Sequence, residues 1–80
     1  MKLETARRKA KLKAFLQRPY VITREYQTDD AWVFSLSDPS GEVVFANLPM
    51  LVFDKEGDGF REVRLPSREG FDILDNERPL

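Results

Sequence analysis

Residues 31–59 are richer in hydrophobic residues than the rest of this chain, and prolines and glycines divide them into runs too short for a long helix. At the start of this stretch, Trp32, Phe34 and Leu36 alternate with smaller residues. Alternation with a period of two is typical of a β-strand that has one buried face. The sequence therefore predicts a strand here, with its aromatic side directed at a helix.

Turn residues divide the rest of this stretch. The sequence Asp-Pro-Ser-Gly at 38–41 fits a type I turn, so the strands on either side should form an antiparallel hairpin. Pro49 cannot donate a ladder hydrogen bond, so it marks a bend, a bulge or an edge. The further extended segments are predicted at 42–48, 50–53 and 60–65, with a reversing loop at 54–59.

The residues before this stretch predict a helix. Residues 3–17 contain no Gly or Pro and end before Pro19. The helix has two apolar sides, one with the bulky Leu12, Phe15 and Leu16 and a shallower one with Leu3, Ala6, Ala10 and Ala14. Either or both sides could contact a sheet.

A strand is predicted over residues 20–26, which are rich in β-branched and aromatic residues and place Tyr20, Ile22 and Tyr26 on one side. Near the other end of the chain, Pro66 and Ser67 favour the start of a short helical turn. We therefore expect a single α+β domain over residues 1–80: an N-terminal helix packed on an antiparallel sheet of about four strands, a short C-terminal helical turn, and a loose tail at 75–80.

Length and composition limit the location of the protein. A chain of 80 residues can bury one small core. The longest apolar run, at 48–53, is far shorter than the roughly 20 residues that cross a bilayer, and the basic N-terminal segment lacks the apolar core of a signal peptide. Because cysteine is also absent, we expect a cytoplasmic protein without a membrane segment.

The net charge of −1 conceals a division of charge along the chain. Residues 1–18 carry a formal charge of +6, and residues 19–80 carry −7. The simplest interpretation is that the basic helix packs on its own acidic sheet. The alternative is that one or both charged regions bind a partner.

The sequence offers little for catalysis. Histidine, the usual general acid or base near neutral pH, is absent. Ser35 and Ser37 alternate with core residues and have no histidine partner, and no nucleophile elbow or phosphate-binding loop is present. We therefore expect a protein that is not an enzyme and has no cofactor.

The loop at 54–59 (Asp-Lys-Glu-Gly-Asp-Gly) resembles the start of a calcium-binding loop, with acidic residues at its first, third and fifth positions and Gly at its sixth. The twelfth position, however, is Leu65, where a bidentate carboxylate is needed. A hairpin loop whose glycines allow positive φ explains the same residues, so we expect no metal.

A set of short motifs resembles the YrhB-like family of small bacterial immunity proteins (immunity protein 35 type). The motifs are Trp32-Val33-Phe34, Ala46-Asn47-Leu48-Pro49, Leu51-Val52-Phe53 and Asp54-Lys55-Glu56-Gly57. The chain departs from the family at Ala31 and Ala46, where the family commonly has Gly. The resemblance implies a cytoplasmic protein that has no activity of its own and neutralises a toxin encoded beside it.

Three functions follow as hypotheses. The first is a protein-binding inhibitor, of the immunity type or encoded by a phage against a defence system, whose acidic loops cover a basic site; its candidate contacts are Asp29, Asp30, Asp54, Glu56 and Asp58. The second is nucleic-acid binding through Arg7, Arg8, Lys9, Lys11, Lys13 and Arg18. The third is a small subunit of a larger complex that docks through Trp32 or an edge at Pro49, although the alternation of Trp32 with Phe34 and Leu36 favours a core position.

Overall fold

A computed structural model describes residues 1–38 and 49–80 of the chain. Its elements are α1 (Leu3–Leu16), β1 (Val21–Gln27), β2 (Ala31–Ser37), β3 (Pro49–Asp54), β4 (Phe60–Arg64) and α2 (Arg68–Asp75). The strands form one antiparallel sheet in the order β1-β2-β3-β4. This confirms the predicted α+β fold, whereas residues 39–41 of the predicted turn and the strand predicted at 42–48 lie outside the described residues.

β3, one of the two inner strands of the sheet, is buried along its apolar length. A strand whose two faces are both covered has no solvent side, and its residues therefore need not alternate between apolar and polar. Pro49 is the first residue of β3, opposite Arg64. A strand's first position tolerates a residue without an N–H, which accounts for a proline between β2 and β4.

The shallow side of α1 packs on one face of the sheet. Ala6, Ala10 and Ala14 are buried there, and their methyl groups let the helix approach the strands closely. The side chains beneath them are Phe34, Leu36, Leu51 and Phe53. The rings of Phe34 and Phe53 meet edge to face, with centroids 5.7 Å apart. The prediction that the aromatic side of β2 faces the helix is confirmed.

The opposite face of the sheet has its own apolar cluster, covered by α2. This cluster consists of Tyr26, Ala31, Val33, Met50, Val52, Val63 and Ile73. The predicted short helical turn is a helix of eight residues, whose N-cap Ser67 accepts a hydrogen bond from the Gly70 N–H at 3.0 Å. The domain therefore has three layers, with α1 and α2 on opposite faces, rather than a single helix and a sheet.

A β-bulge in β1 reverses one part of the predicted side-chain pattern. Ile22 lies opposite Leu36 and Arg24 lies opposite Ser35, so Thr23 is an extra residue in the ladder. Tyr26 therefore joins the face covered by α2, and the prediction that it shares a side with Tyr20 and Ile22 is wrong. Burial raises the pKa of the Tyr26 hydroxyl, which donates a hydrogen bond to Met50 Sδ at 3.2 Å.

The end of the chain, expected to be loose, is bonded to the outer edge of β1. The Arg78 N–H donates to the Gln27 carbonyl at 2.7 Å, and the Gln27 N–H donates to the Arg78 carbonyl at 3.0 Å. An ion pair also joins Arg24 to Glu77, whose carboxylate raises the pKa of the Arg24 guanidinium.

Within residues 1–38 and 49–80, neither helix has the length and apolar content that crossing a membrane requires.

The orientation of α1 can be tested with a matched pair of substitutions. Ala10→Leu should lower the free energy of unfolding by about 1–3 kcal/mol, because a larger side chain must push the helix away from the sheet. Lys11→Leu, at the exposed neighbouring position, should change it by less than about 0.5 kcal/mol. Urea unfolding followed by circular dichroism measures both. Equal losses of stability would contradict the packing described here.

Candidate functional site

Two loops meet at one end of the sheet and bring four of the predicted acidic residues together. The Lys55 N–H donates to the Asp30 carbonyl at 2.8 Å, which joins the β3–β4 loop to the β1–β2 turn. A hollow of about 440 Å³ between them is lined by Asp29, Asp30, Asp54, Lys55 and Glu56. We call Asp29, Asp30, Asp54 and Glu56 the acidic end. Asp58 lies apart from it, in a hollow beside Met1 and Phe60.

Neighbouring cations balance half of the acidic end. Asp54 pairs with Arg61 at 3.0 Å, and Asp29 pairs with Arg78 at 3.0 Å. The carboxylates of Glu69 and Asp54 both raise the pKa of Arg61. Asp30 and Glu56 are exposed and make no ion pair with other described residues. These two carboxylates remain available to a partner.

Lys55 and Trp32 hold the β3–β4 loop in place. The Lys55 ammonium donates to Gln27 Oε1 at 2.8 Å and lies 4.5 Å from the centroid of the Trp32 ring. Trp32 is partly buried against the α1 cluster, and its indole N–H donates to the Met1 carbonyl at 2.9 Å. Trp32 therefore contributes to packing, in agreement with its predicted core position.

The calcium-like loop has other partners for the groups that would bind an ion. The carbonyls of Lys55 and Gly57 accept hydrogen bonds from the amino group of Met1, and the Asp54 carboxylate binds Arg61. Gly57 has a φ of 78°, as expected for a glycine in a hairpin loop. Across the described parts of the chain, no group of three or more acidic side chains is arranged to hold a metal ion.

The serines considered for catalysis take part in hydrogen bonds within the sheet. The Ser37 hydroxyl lies 2.9 Å from the Thr23 hydroxyl, and the Ser35 hydroxyl donates to Tyr26 Oη at 3.5 Å.

Pro49, considered as a docking edge, is buried in the inner strand β3. It therefore offers no surface to a partner, and that prediction is wrong.

The basic residues of the N-terminal segment do not form one patch. Arg7 pairs with Glu25 at 3.1 Å. Lys13 lies 4.0 Å from the centroid of the Phe60 ring, and Arg18 lies 4.3 Å from that of Phe15. The remaining three predicted residues, Arg8, Lys9 and Lys11, are exposed and have no ion pair in the described structure. Among the described residues, α1 contacts the sheet mainly through its alanines, and the ion pair of Arg7 is the one that joins its basic residues to the sheet.

The bulky side of α1 points away from the sheet and was not singled out as a binding surface from the sequence. Leu12, Phe15 and Leu16 are 61%, 57% and 74% exposed. The signal was present in the sequence as a second apolar side of the helix, but nothing in the sequence decided which side is buried. We call the surface formed by Arg8, Lys9, Lys11, Leu12, Phe15 and Leu16 the outer face of α1.

A hollow lies on each side of this outer face. The larger, of about 810 Å³, is lined by Phe15, Tyr20, Val21 and Ile22 together with Lys11, Arg18 and the carboxylate Glu25, which pairs with Arg7. The smaller, of about 310 Å³, is the hollow that contains Asp58, and it is also lined by Leu12, Leu16, Phe53 and Phe60 together with Lys9 and Lys13. The outer face is therefore an apolar ridge with a hollow and basic side chains on either flank.

Comparison with known proteins identifies no relative. No family model, curated protein or solved structure matches this chain. The arrangement described above therefore defines a class by its fold alone, a small α+β domain with two helices on opposite faces of a four-stranded antiparallel sheet. The resemblance to the YrhB-like immunity proteins stays a prediction.

The hairpin loop provides a test of metal binding. Calcium at up to about 1 mM, the weak end of known calcium modules, should leave the melting temperature unchanged, because the loop carbonyls and Asp54 already have partners within the chain. Thermal unfolding with calcium and with a chelator measures this. A melting temperature that rises with calcium concentration would contradict it.

Proposed function

We propose that this protein acts by binding another protein and has no catalytic activity of its own, as an inhibitor of the kind that the resemblance to immunity proteins implies. The observation that carries the proposal is the exposure of Leu12, Phe15 and Leu16 on the outer face of α1. Contiguous exposed apolar side chains on a small domain are typical of interaction surfaces.

A partner that covers these side chains removes their apolar surface from water. Burying a Leu or Phe side chain stabilises by about 1.5–3 kcal/mol, and a few such residues commonly supply most of the free energy of binding. In the free domain they contribute little, because Ala6, Ala10 and Ala14 already form the contact with the sheet. The bulky residues are therefore better explained by a partner than by folding.

The acidic end supports the same class of function through a second surface. Asp30 and Glu56 belong to loops that a backbone hydrogen bond joins, so the two residues lie together at one end of the sheet. A surface of this kind fits a basic site on a target, as expected for an inhibitor of a toxin that acts on nucleic acid. Substitutions in one surface at a time can measure the contribution of each to binding.

Co-expression with the product of the neighbouring gene tests the proposal. The wild-type protein should retain that product on an affinity column and suppress its toxicity, whereas Leu12→Ser/Leu16→Ser should weaken binding at least about tenfold through loss of buried apolar surface. The Asp30→Lys/Glu56→Lys variant measures separately how much the acidic end contributes to binding. Phe71→Ser, which removes an exposed apolar side chain of α2, is the matched control and should bind normally.

Two results would contradict the proposal. One is the absence of any complex between the wild-type protein and the neighbouring product, together with no effect on its toxicity. The other is normal binding by the Leu12→Ser/Leu16→Ser variant when that variant has the stability of the wild type.

Nucleic-acid binding is the second candidate, favoured by the exposed cations Arg8, Lys9 and Lys11, which form no ion pair with any residue that the structure describes. Phosphate contacts from three cations give a salt dependence of about the third power for duplex DNA. The apolar centre of the same face gains nothing from phosphates, so we expect binding no tighter than the weakest non-specific range, about 10⁻⁴ M.

Fluorescence anisotropy of labelled DNA at low and high salt measures this. Micromolar binding that Lys9→Glu/Lys11→Glu removes and Leu12→Ser/Leu16→Ser leaves intact would favour nucleic acid over protein as the ligand.

A further inference from the structure

We propose that the outer face of α1 docks a protein surface whose apolar centre is surrounded by carboxylates. This inference rests on the proposed function and adds the chemistry of the partner. It follows from where the helix places its apolar and basic residues, from the shape of the surface around them, and from the charge of the segment that carries them.

The helical repeat places the basic residues around the apolar ones. At 100° per residue, Leu12 lies near the middle of the outward side, with Phe15 and Leu16 one turn further along and Arg8 one turn before. Lys9 and Lys11 lie on its two flanks, and each lines one of the adjacent hollows. A partner that covers Leu12 therefore brings its rim close to Lys9 and Lys11, where carboxylates are attracted and cations are repelled.

The shape of the surface favours a protein over a lipid bilayer. The outer face is a ridge, and the hollows beside it reach down to Tyr20 and Ile22 on one flank and to Phe53 and Phe60 on the other. Side chains of a protein can enter such hollows, as ridges fit grooves between packed helices. A flat membrane surface would touch the ridge and leave the hollows unfilled.

Charge argues against a second copy of this chain on the same face. Residues 1–18 carry a formal charge of +6, so two outer faces related by a two-fold axis would bring like charges together. A partner whose apolar centre is surrounded by carboxylates carries the opposite charge, and its apolar centre can cover the apolar residues of the outer face.

Two designed peptides test the proposal directly. Both are amphipathic helices of about four turns with leucine at positions i, i+3, i+4 and i+7; the stripe is flanked by glutamate in one and by lysine in the other. The wild-type protein should bind the glutamate peptide at least about tenfold more tightly in fluorescence anisotropy, an effect that a few exposed ion pairs can supply.

Matched variants assign the effect to residues. Leu12→Ser/Leu16→Ser should lose binding of the glutamate peptide, while Phe71→Ser keeps it. Lys9→Glu/Lys11→Glu should reverse the preference, while Arg68→Glu, an exposed basic residue of α2, keeps it. All these positions are exposed, and thermal unfolding checks that each variant remains folded.

Equal affinity for the two peptides, no binding of the glutamate peptide, or sedimentation with phosphatidylglycerol vesicles in place of peptide binding would overturn the inference. A Lys9→Glu/Lys11→Glu variant that still retains the co-expressed protein at full affinity would also overturn it. That last result would leave the proposed function standing, because the partner would then bind without a carboxylate rim.

Discussion

The close approach of α1 to the sheet is the contact on which the arrangement of the other residues depends. Alanine methyls at positions 6, 10 and 14 are the only side chains of that helix that are buried, and the aromatic rings of Phe34 and Phe53 fill the space beneath them. A helix that uses its smallest residues against the sheet must turn its largest ones away, because the two sets lie on different sides. The exposed Leu12, Phe15 and Leu16 are therefore a consequence of the packing.

The sheet supports this arrangement by having a core on each face. β3 supplies residues to both, with Leu51 and Phe53 under α1 and Met50 and Val52 under α2. Because β3 is covered on both sides, the charged groups of the described residues lie in the loops, at strand ends, on the outer strands and on the helices. The same geometry separates the acidic end, which lies at the loops, from the basic and apolar outer face of α1. One small domain therefore carries two surfaces of opposite character.

Sequence reasoning succeeded where the signal is local. The extent of α1, the alternation in β2 and the N-cap at Ser67 each depend on residues within a few positions, and each is present in the structure. The prediction that Asp30 and Glu56 lie on loops is confirmed, because both fall between paired strands. The fold class was therefore accessible from the sequence.

The features that sequence reasoning missed depend on contacts between distant segments. The bulge at Thr23 depends on register with β2, and it moves Tyr26 to the other face without any change in local pattern. The ion pair of Asp29 with Arg78 joins residues that only the folded chain brings together. The choice between the two apolar sides of α1 was open for the same reason, since a small side chain becomes the better contact only when large rings already fill the opposite surface.

Because the chain contains no cysteine, thiol labelling can show directly which side of α1 is buried. Single variants Leu12→Cys, Leu16→Cys and Ala10→Cys would be exposed to a colorimetric thiol reagent under native conditions. The first two should react about as fast as in denaturant, and Ala10→Cys should react only through opening of the fold, orders of magnitude more slowly. A fast reaction at position 10, or protection at positions 12 and 16, would contradict the account.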